Sequence, residues 1–462
     1  MTQRSWVLAL AAVASFMVAL DTLVVSTALT TIRLDLKASV EQLEWTVNAY
    51  NLSFAVLLMT ASALGDRFGR RRLFTAGLAL FSLASAACAL APDAGTLIVA
   101  RAIQGMGAAA VMPLALTLVG AAFPPEKRGS AMGALQGLTG LAVASGPVIG
   151  GAVAQGLAWQ WIFWINVPIG LLAIPLVLLR IPESRGSDDA LDFPGLALIT
   201  GAGFGIVWGL VRGNGAGWGS AEVVASIAAG VVLLAAFVGW ERRATTPMLP
   251  PSLFRERAFS AGNGASFLMI AALFSAVFFL AQYLQTVLGL GPLGAGLRLL
   301  PWTATLFFVA PVAGTLVDRY GPRRFMGAGL ALQAIGFSWV ALVSDNASYV
   351  QMIPPLMIAG AGVSMAIPAT ISSAVNAVSA EHVGKAAGVN STLRELGGVF
   401  GIAITVAVFA GAGGYTSFAD GFQRALLVAS AFSLAGALCA AALPARSRAT
   451  RSAPLAEGSA AV

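Results

Sequence analysis

Four ionisable side chains stand where the sequence is otherwise apolar: Asp21, Arg101, Arg394 and Glu395. Each costs about 2.5–3.5 kcal/mol at the centre of a membrane helix, so each must face a cavity or a partner. A carboxylate in such a place is a natural proton carrier, because desolvation favours its neutral form and a nearby cation its ionised form. Moving the cation, or admitting water, then loads or releases the proton. The competing reading is a purely structural ion pair, for Asp21 with Arg101 and equally for Glu395 beside Arg394. Asp21 lies about 15 residues, ~22 Å, into the first apolar run, and Arg101 about 6 residues, ~9 Å, into the fourth. In antiparallel helices across a ~30 Å core the two come level in the outer half, with Glu395 near the midplane.

The elements that hold these groups are membrane helices. Of 462 residues, 58% are hydrophobic, and mean hydropathy is +0.84. No soluble fold hides that much apolar surface. Fourteen apolar runs of roughly 20 residues are expected, an all-α polytopic membrane protein. The seventh and eighth, at 193–211 and 223–240, are divided by a glycine-rich turn at 213–219. With the N-terminus inside, 20 of the 27 basic residues fall in cytoplasmic segments and five in outer ones, which sets both termini in the cytoplasm. The net charge of +7 is therefore topological, and no nucleic-acid partner is expected. Cys88 and Cys439 are too far apart in sequence to suggest a metal site or disulfide. With His382 the only histidine and no Gly-x-x-x-x-Gly-Lys loop, metal-dependent catalysis and ATP-driven pumping are disfavoured; no enzyme and no cofactor is expected. The first run is too long for a signal-peptide core and stays as an anchor.

The chain is a duplication. Asp66-Arg67-Phe68-Gly69, followed by Arg70, Arg71 and Arg72, recurs 252 residues later as Asp318-Arg319-Tyr320-Gly321, followed by Arg323 and Arg324. At an offset of 255, Gly105, Gly107 and Pro113 fall on Gly360, Gly362 and Pro368. Residues 1–190 and 258–443 are thus two six-helix halves, 191–257 an inserted pair with its loop, and 444–462 a tail expected to be disordered. Arg101 falls on Leu356 and Pro147 on Ile402, so the halves are chemically unequal.

These stretches resemble the major facilitator superfamily, and within it the fourteen-helix drug:proton antiporter branch. Ser62–Leu73 resembles the loop motif between helices 2 and 3, Leu97–Ala109 the helix 4 motif, and Leu20–Leu29 with Asp21 the helix 1 motif. Gly137–Gly151, with Gly146, Pro147, Gly150 and Gly151, is similar to the helix 5 antiporter motif, whose glycines permit tight crossing. Ser62 departs from the loop motif's glycine, and Ser26 and Thr30 from the helix 1 motif's Asn and Pro. The resemblance implies an exporter of lipophilic or amphiphilic toxic compounds, driven by the proton gradient, monomeric, in the bacterial cytoplasmic membrane. Asp21, Arg101 and Glu395 are the candidates for proton coupling. Asp66, Arg67, Gly69, Arg70, Arg71, Asp318 and Arg319 would form a latch, with Asp66 capping the start of helix 13 in the outward-facing state and the arginines pairing across the loop. Cavity candidates are Asn48, Tyr50, Gln136, Asn166, Gln282, Tyr283, Gln285 and Trp302, unless they serve helix packing. A metabolite permease on the same fold is the rival, and the Gly146-Pro147 motif favours export.

Overall fold

Short capped turns cut the apolar chain into spanning helices. Ser39 and Gln42 form a capping box, and the Asp93 carboxylate accepts the Thr96 N–H at 2.9 Å. That bond, with a second from the Thr96 hydroxyl, holds Asp93 below the usual carboxylate range. The computed structural model describes residues 2–186, 192–245, 247, 249, 251–343, 348–378 and 383–443, without the side chains of 125, 126, 128, 129, 318, 374–376 and 383–385. Fourteen helices among them are long and apolar enough to cross a membrane. Spans 1–6 are Gln3–Asp35, Val40–Phe68, Arg70–Ala89, Ala94–Ala122, Ser130–Gly156 and Trp161–Arg180. Spans 7 and 8 are Phe193–Ala216 and Ala221–Glu241. Spans 9–14 are Arg257–Thr286, Pro292–Val317, Pro322–Val343, Tyr349–Ser373, Ala386–Gly411 and Phe418–Ala441. The tail at 444–462 and the side chain of Asp318 lie outside the described residues.

The duplication is visible in the backbone. Gly69 (φ 115°) and Gly321 (φ 86°) end spans 2 and 10 in the same left-handed region, which admits the turn without a Cβ clash. Span 1 packs on span 5 and span 3 on span 4; in the second half span 9 packs on span 13 and span 11 on span 12. Span 7 runs on through Gly213, contrary to the turn expected there, because its last turns find partners. Arg212 Nη1 donates to Glu41 of span 2 at 3.1 Å, and Asn214 Nδ2 to the Ala407 carbonyl of span 13 at 2.5 Å. The inserted pair therefore touches both halves.

Between the halves, span 2 meets span 13, span 5 meets span 10 and span 1 meets span 9. Span 5 reveals how this seam is set. A Cβ on Gly151 would collide with the Pro292 carbonyl, and one on Gly296 with the Pro147 carbonyl, so the backbones touch here. Gly140 and Gly133 lie on the same helical face as Pro147, seven and fourteen residues back towards the basic 67–72 cluster. Gly133, Gly137 and Gly140 meet nothing within 4 Å. Along span 5 the seam is closed at the end remote from the basic cluster and open at the basic end, whereas spans 2 and 13 still meet near the basic end, with Met59 beside Gly388. This corrects the expectation for Gly137: tight crossing holds at Gly146, Gly150 and Gly151, while Gly137 borders open space.

Candidate functional site

Asp21 sits at the centre of a sealed polar knot. Its Oδ2 accepts from Arg101 Nη1 at 2.5 Å, and its Oδ1 from Gln104 Nε2 and Asn166 Nδ2, both at 2.9 Å. The ion-paired side chains are each 1% exposed. Ser85 Oγ accepts from Gln104 Nε2 at 2.7 Å and from Asn166 Nδ2 at 3.0 Å, tying span 3 into the knot. Arg101 spends its other donors on Gln104 Oε1 (2.7 Å) and on the Thr46 carbonyl (3.2 Å). Its guanidinium lies 4.1 Å from the Tyr50 ring centroid, a cation–π contact. Five spans of the first half converge here, and the small Gly105 permits it, since a Cβ there would strike the Tyr50 carbonyl. Three N–H donors on one carboxylate suit its ionised form. At the repeat positions of Ser85, Arg101 and Gln104 the second half has Phe337, Leu356 and Ala359, all buried in an apolar core.

Glu395 is not one of the groups bonded in the knot, though it lies near enough to Tyr50 to act on it electrostatically. It is part-exposed beside Arg394 and makes no ion pair within 4.0 Å among the described residues. Arg394 Nε is buried without a hydrogen-bond partner.

Several expected cavity residues are elsewhere. Tyr283 is fully buried and stacks on Phe422, with centroids 4.3 Å apart, inside the second half. Trp302 packs edge-on against Phe337. Gln282 donates to the Phe278 carbonyl and accepts from the Tyr415 hydroxyl. For Tyr283 and Trp302 the apolar body of the half offered better burial than the seam, while Gln282 is tied through Tyr415 to the closed end of the seam. Tyr50 and Asn166 belong to the Asp21 knot, Asn48 donates to Glu44 at 3.3 Å, and Gln285 crosses the closed seam to the Thr27 carbonyl at 2.9 Å. Of these candidates Gln136 is exposed, on the open stretch of span 5.

The basic loop is held to the exit of span 6. Arg70 Nε donates to Asp66 Oδ1 at 2.6 Å, and the Arg71 N–H to Glu183 Oε1 at 2.9 Å. Backbone bonds from Arg70 to the Ser184 carbonyl and from Gly186 to the Asp66 carbonyl, both 2.9 Å, complete a short zipper. Arg71 Nη1 reaches the Ile181 carbonyl at 3.2 Å, so it pairs outside the loop, contrary to expectation. Arg67 and Arg319 each lie over the following aromatic ring, Phe68 and Tyr320. No described residue at the start of span 13 touches Asp66.

A sequence profile described as the Major Facilitator Superfamily matches residues 11–401, with a second match at 262–461. The chain belongs to this superfamily. It is 36% identical to the tetracenomycin C resistance and export protein of Streptomyces glaucescens, over 87% of this chain and 75% of the relative. It is 35% identical to the cephamycin export protein CmcT of Amycolatopsis lactamdurans, over 96% of this chain and 93% of the relative. The fold matches the solved POT family transporter PepTSo at a TM-score of 0.70 and 15% identity, over 95% of this chain and 97% of that one. This facilitator is a membrane transporter of small molecules and not an enzyme.

Sequence reasoning missed the facilitator's Gln104, Ser85 and Glu183. Gln104 carried a readable signal, since it is three residues after Arg101 and so on the same helical face. The closed end of the seam was not read either. There Arg33 lies 3.9 Å from the Tyr415 ring centroid, and Gln155 Oε1 accepts the Leu293 N–H at 3.1 Å. Burial pushes the Tyr415 phenol up to about 12, so it remains a hydrogen-bond donor across the physiological range.

Proposed function

We propose that this facilitator exports lipophilic or amphiphilic toxic compounds, antibiotics among them, in exchange for protons. The observation that carries the reading is the Asp21–Arg101 knot, an ionised pair sealed beside a seam that is closed at one end and open at the other. Relatives named for tetracenomycin C and cephamycin export support the substrate class. The concentration of basic residues supports a reading in which the open end and both termini face the cytoplasm of a bacterial cell. Substrate enters from that side. When the outer seam opens, water reaches Asp21 and a proton binds it, loosening its hold on Arg101. Returning to the cytoplasm-open state re-forms the pair and expels the proton inwards. Glu395, unpaired and part-exposed, is the second candidate carrier. An uncoupler should abolish export from energised cells, and ATP-dependent export in gradient-free vesicles would falsify the reading.

The basic loop is the latch in this scheme. In the cytoplasm-open state Asp66 holds Arg70; in the outward-open state it caps span 13. A carboxylate at a helix N-terminus contributes up to ~2 kcal/mol when partly buried, so Asp66→Asn should slow turnover by up to about 30-fold. Substrate affinity should stay at the parent value. Normal turnover with weakened affinity, measured by stopped-flow efflux and equilibrium binding, would remove the latch.

A further inference from the structure

Span 2 carries another buried carboxylate, Glu44, which is 1% exposed. Among the described residues no basic nitrogen comes within 4.0 Å of it. The nearby Arg212 is engaged by Glu41 and Glu222 instead. Glu44 accepts from Asn48 Nδ2, which leaves Asn48 Oδ1 buried without a hydrogen-bond partner. Asn51, 1% exposed, has neither its Oδ1 nor its Nδ2 satisfied. Buried unmet polar atoms cost about 1–3 kcal/mol each, and three of them beside a carboxylate without a cation need an explanation.

Residues 44, 48 and 51 stand at i, i+4 and i+7, so they form one stripe along ~10 Å of helix. Thr46 and Tyr50, on another side of span 2, hold Arg101. Ala55, the next residue on the stripe, shares an apolar cluster with Leu396, Val399 and Ala403 of span 13 and with Val207 and Val211 of span 7. The stripe therefore lies on the side of span 2 where it meets span 13 across the seam and span 7 beside it, towards the end now closed.

We propose that Glu44, Asn48 and Asn51 form a subsite for the organic ammonium group of a cationic substrate, reached when the outer seam opens. The proposal rests on the exporter reading and adds the charge of the substrate to it. A primary ammonium has three N–H donors and no acceptor. The Glu44 carboxylate supplies countercharge and one acceptor, and the two free amide oxygens supply the others. Asn51 Nδ2 is left for a carbonyl or hydroxyl on the same substrate. Neutral analogues gain nothing from the carboxylate.

The test compares doxorubicin, a primary ammonium, with its neutral N-acetyl derivative on purified protein in lipid nanodiscs, reading binding by fluorescence anisotropy. The parent should prefer the ammonium form by at least about tenfold, a gap of ~1.4 kcal/mol. Glu44→Gln should erase that preference by weakening the ammonium form down to the N-acetyl affinity, and Asn51→Leu should narrow it while weakening both forms, since both lose the Asn51 amide. A parent with no preference, or a Glu44→Gln protein that keeps it, overturns the proposal. If Glu44→Gln does not fold, Asn51→Leu decides alone: a retained preference overturns the subsite and a reduced one supports it. Growth of cells expressing the parent against a panel of toxic compounds tests the exporter reading separately, and its failure leaves the binding result interpretable.

Discussion

Asp21→Asn should yield a folded protein that exports at least about 100-fold more slowly than the parent, a barrier increase of ~2.7 kcal/mol. Asn copies the protonated acid permanently and keeps the bonds from Gln104 and Asn166, and Arg101 keeps Gln104 Oε1, the Thr46 carbonyl and the Tyr50 ring, so the fold survives. What it cannot do is alternate between holding Arg101 as an ion and releasing it as a neutral group. Proton release on substrate addition to the purified protein should vanish with export. Arg101→Leu should behave differently, since it strands a buried carboxylate, a loss of about 3–5 kcal/mol. Its melting temperature should fall well below that of Asp21→Asn. The double variant should melt above Arg101→Leu, because the two effects meet on one pair and are not additive. If Asp21→Asn exports and releases protons at the parent rate, Asp21 is structural and Glu395 becomes the carrier to test.

Gly296→Val should be almost as damaging to transport and much gentler on folding. A Cβ at Gly296 meets the Pro147 carbonyl, a backbone atom that cannot swing aside, so the outer seam cannot close. Each half keeps its own packing, and the protein is held outward-open. Export should drop to background. A Thr27→Cys reporter at the seam, in a background without Cys88 and Cys439, should label faster with an impermeant thiol reagent from outside. Gly137→Val, on the open part of span 5, should bias the protein the opposite way and slow that labelling. Identical labelling in all three proteins, with export intact, would mean that span 5 and span 10 do not form the gate.

The architecture was readable because apolar length, charge asymmetry and an internal repeat are properties of the chain itself. So was the level of Asp21 with Arg101, which follows from helical rise in two antiparallel runs. The remainder depended on which way each helix is turned. Spacing shows that Arg101 and Gln104 share a face, but Ser85 and Asn166 join them only through the rotation of spans 3 and 6. Tyr283 and Trp302 had two destinations, the seam or the body of the second half, and stacking on Phe422 and Phe337 took them to the latter. Gly137 was misjudged because a small residue does not itself say whether its face meets another helix or open space. Glu44 escaped notice because it lies only four residues inside span 2, where a charge reads as interfacial.

The inserted pair gives the surrounding lipid a mechanical grip on this cycle. Span 8 packs on span 7 and is only 17% buried over its most apolar stretch, so most of that surface meets acyl chains. Span 7 in turn holds span 2 through Arg212 and span 13 through Asn214, at the end of the seam that must part. Parting it slides span 7 along one of those partners, and span 8 is dragged through the bilayer with it. Mismatch between helix and hydrocarbon thickness costs fractions of a kcal/mol per Å, comparable to the exposed ion pair that has to break. Export rate in reconstituted vesicles should therefore vary with acyl-chain length, which acts through the inserted helix pair.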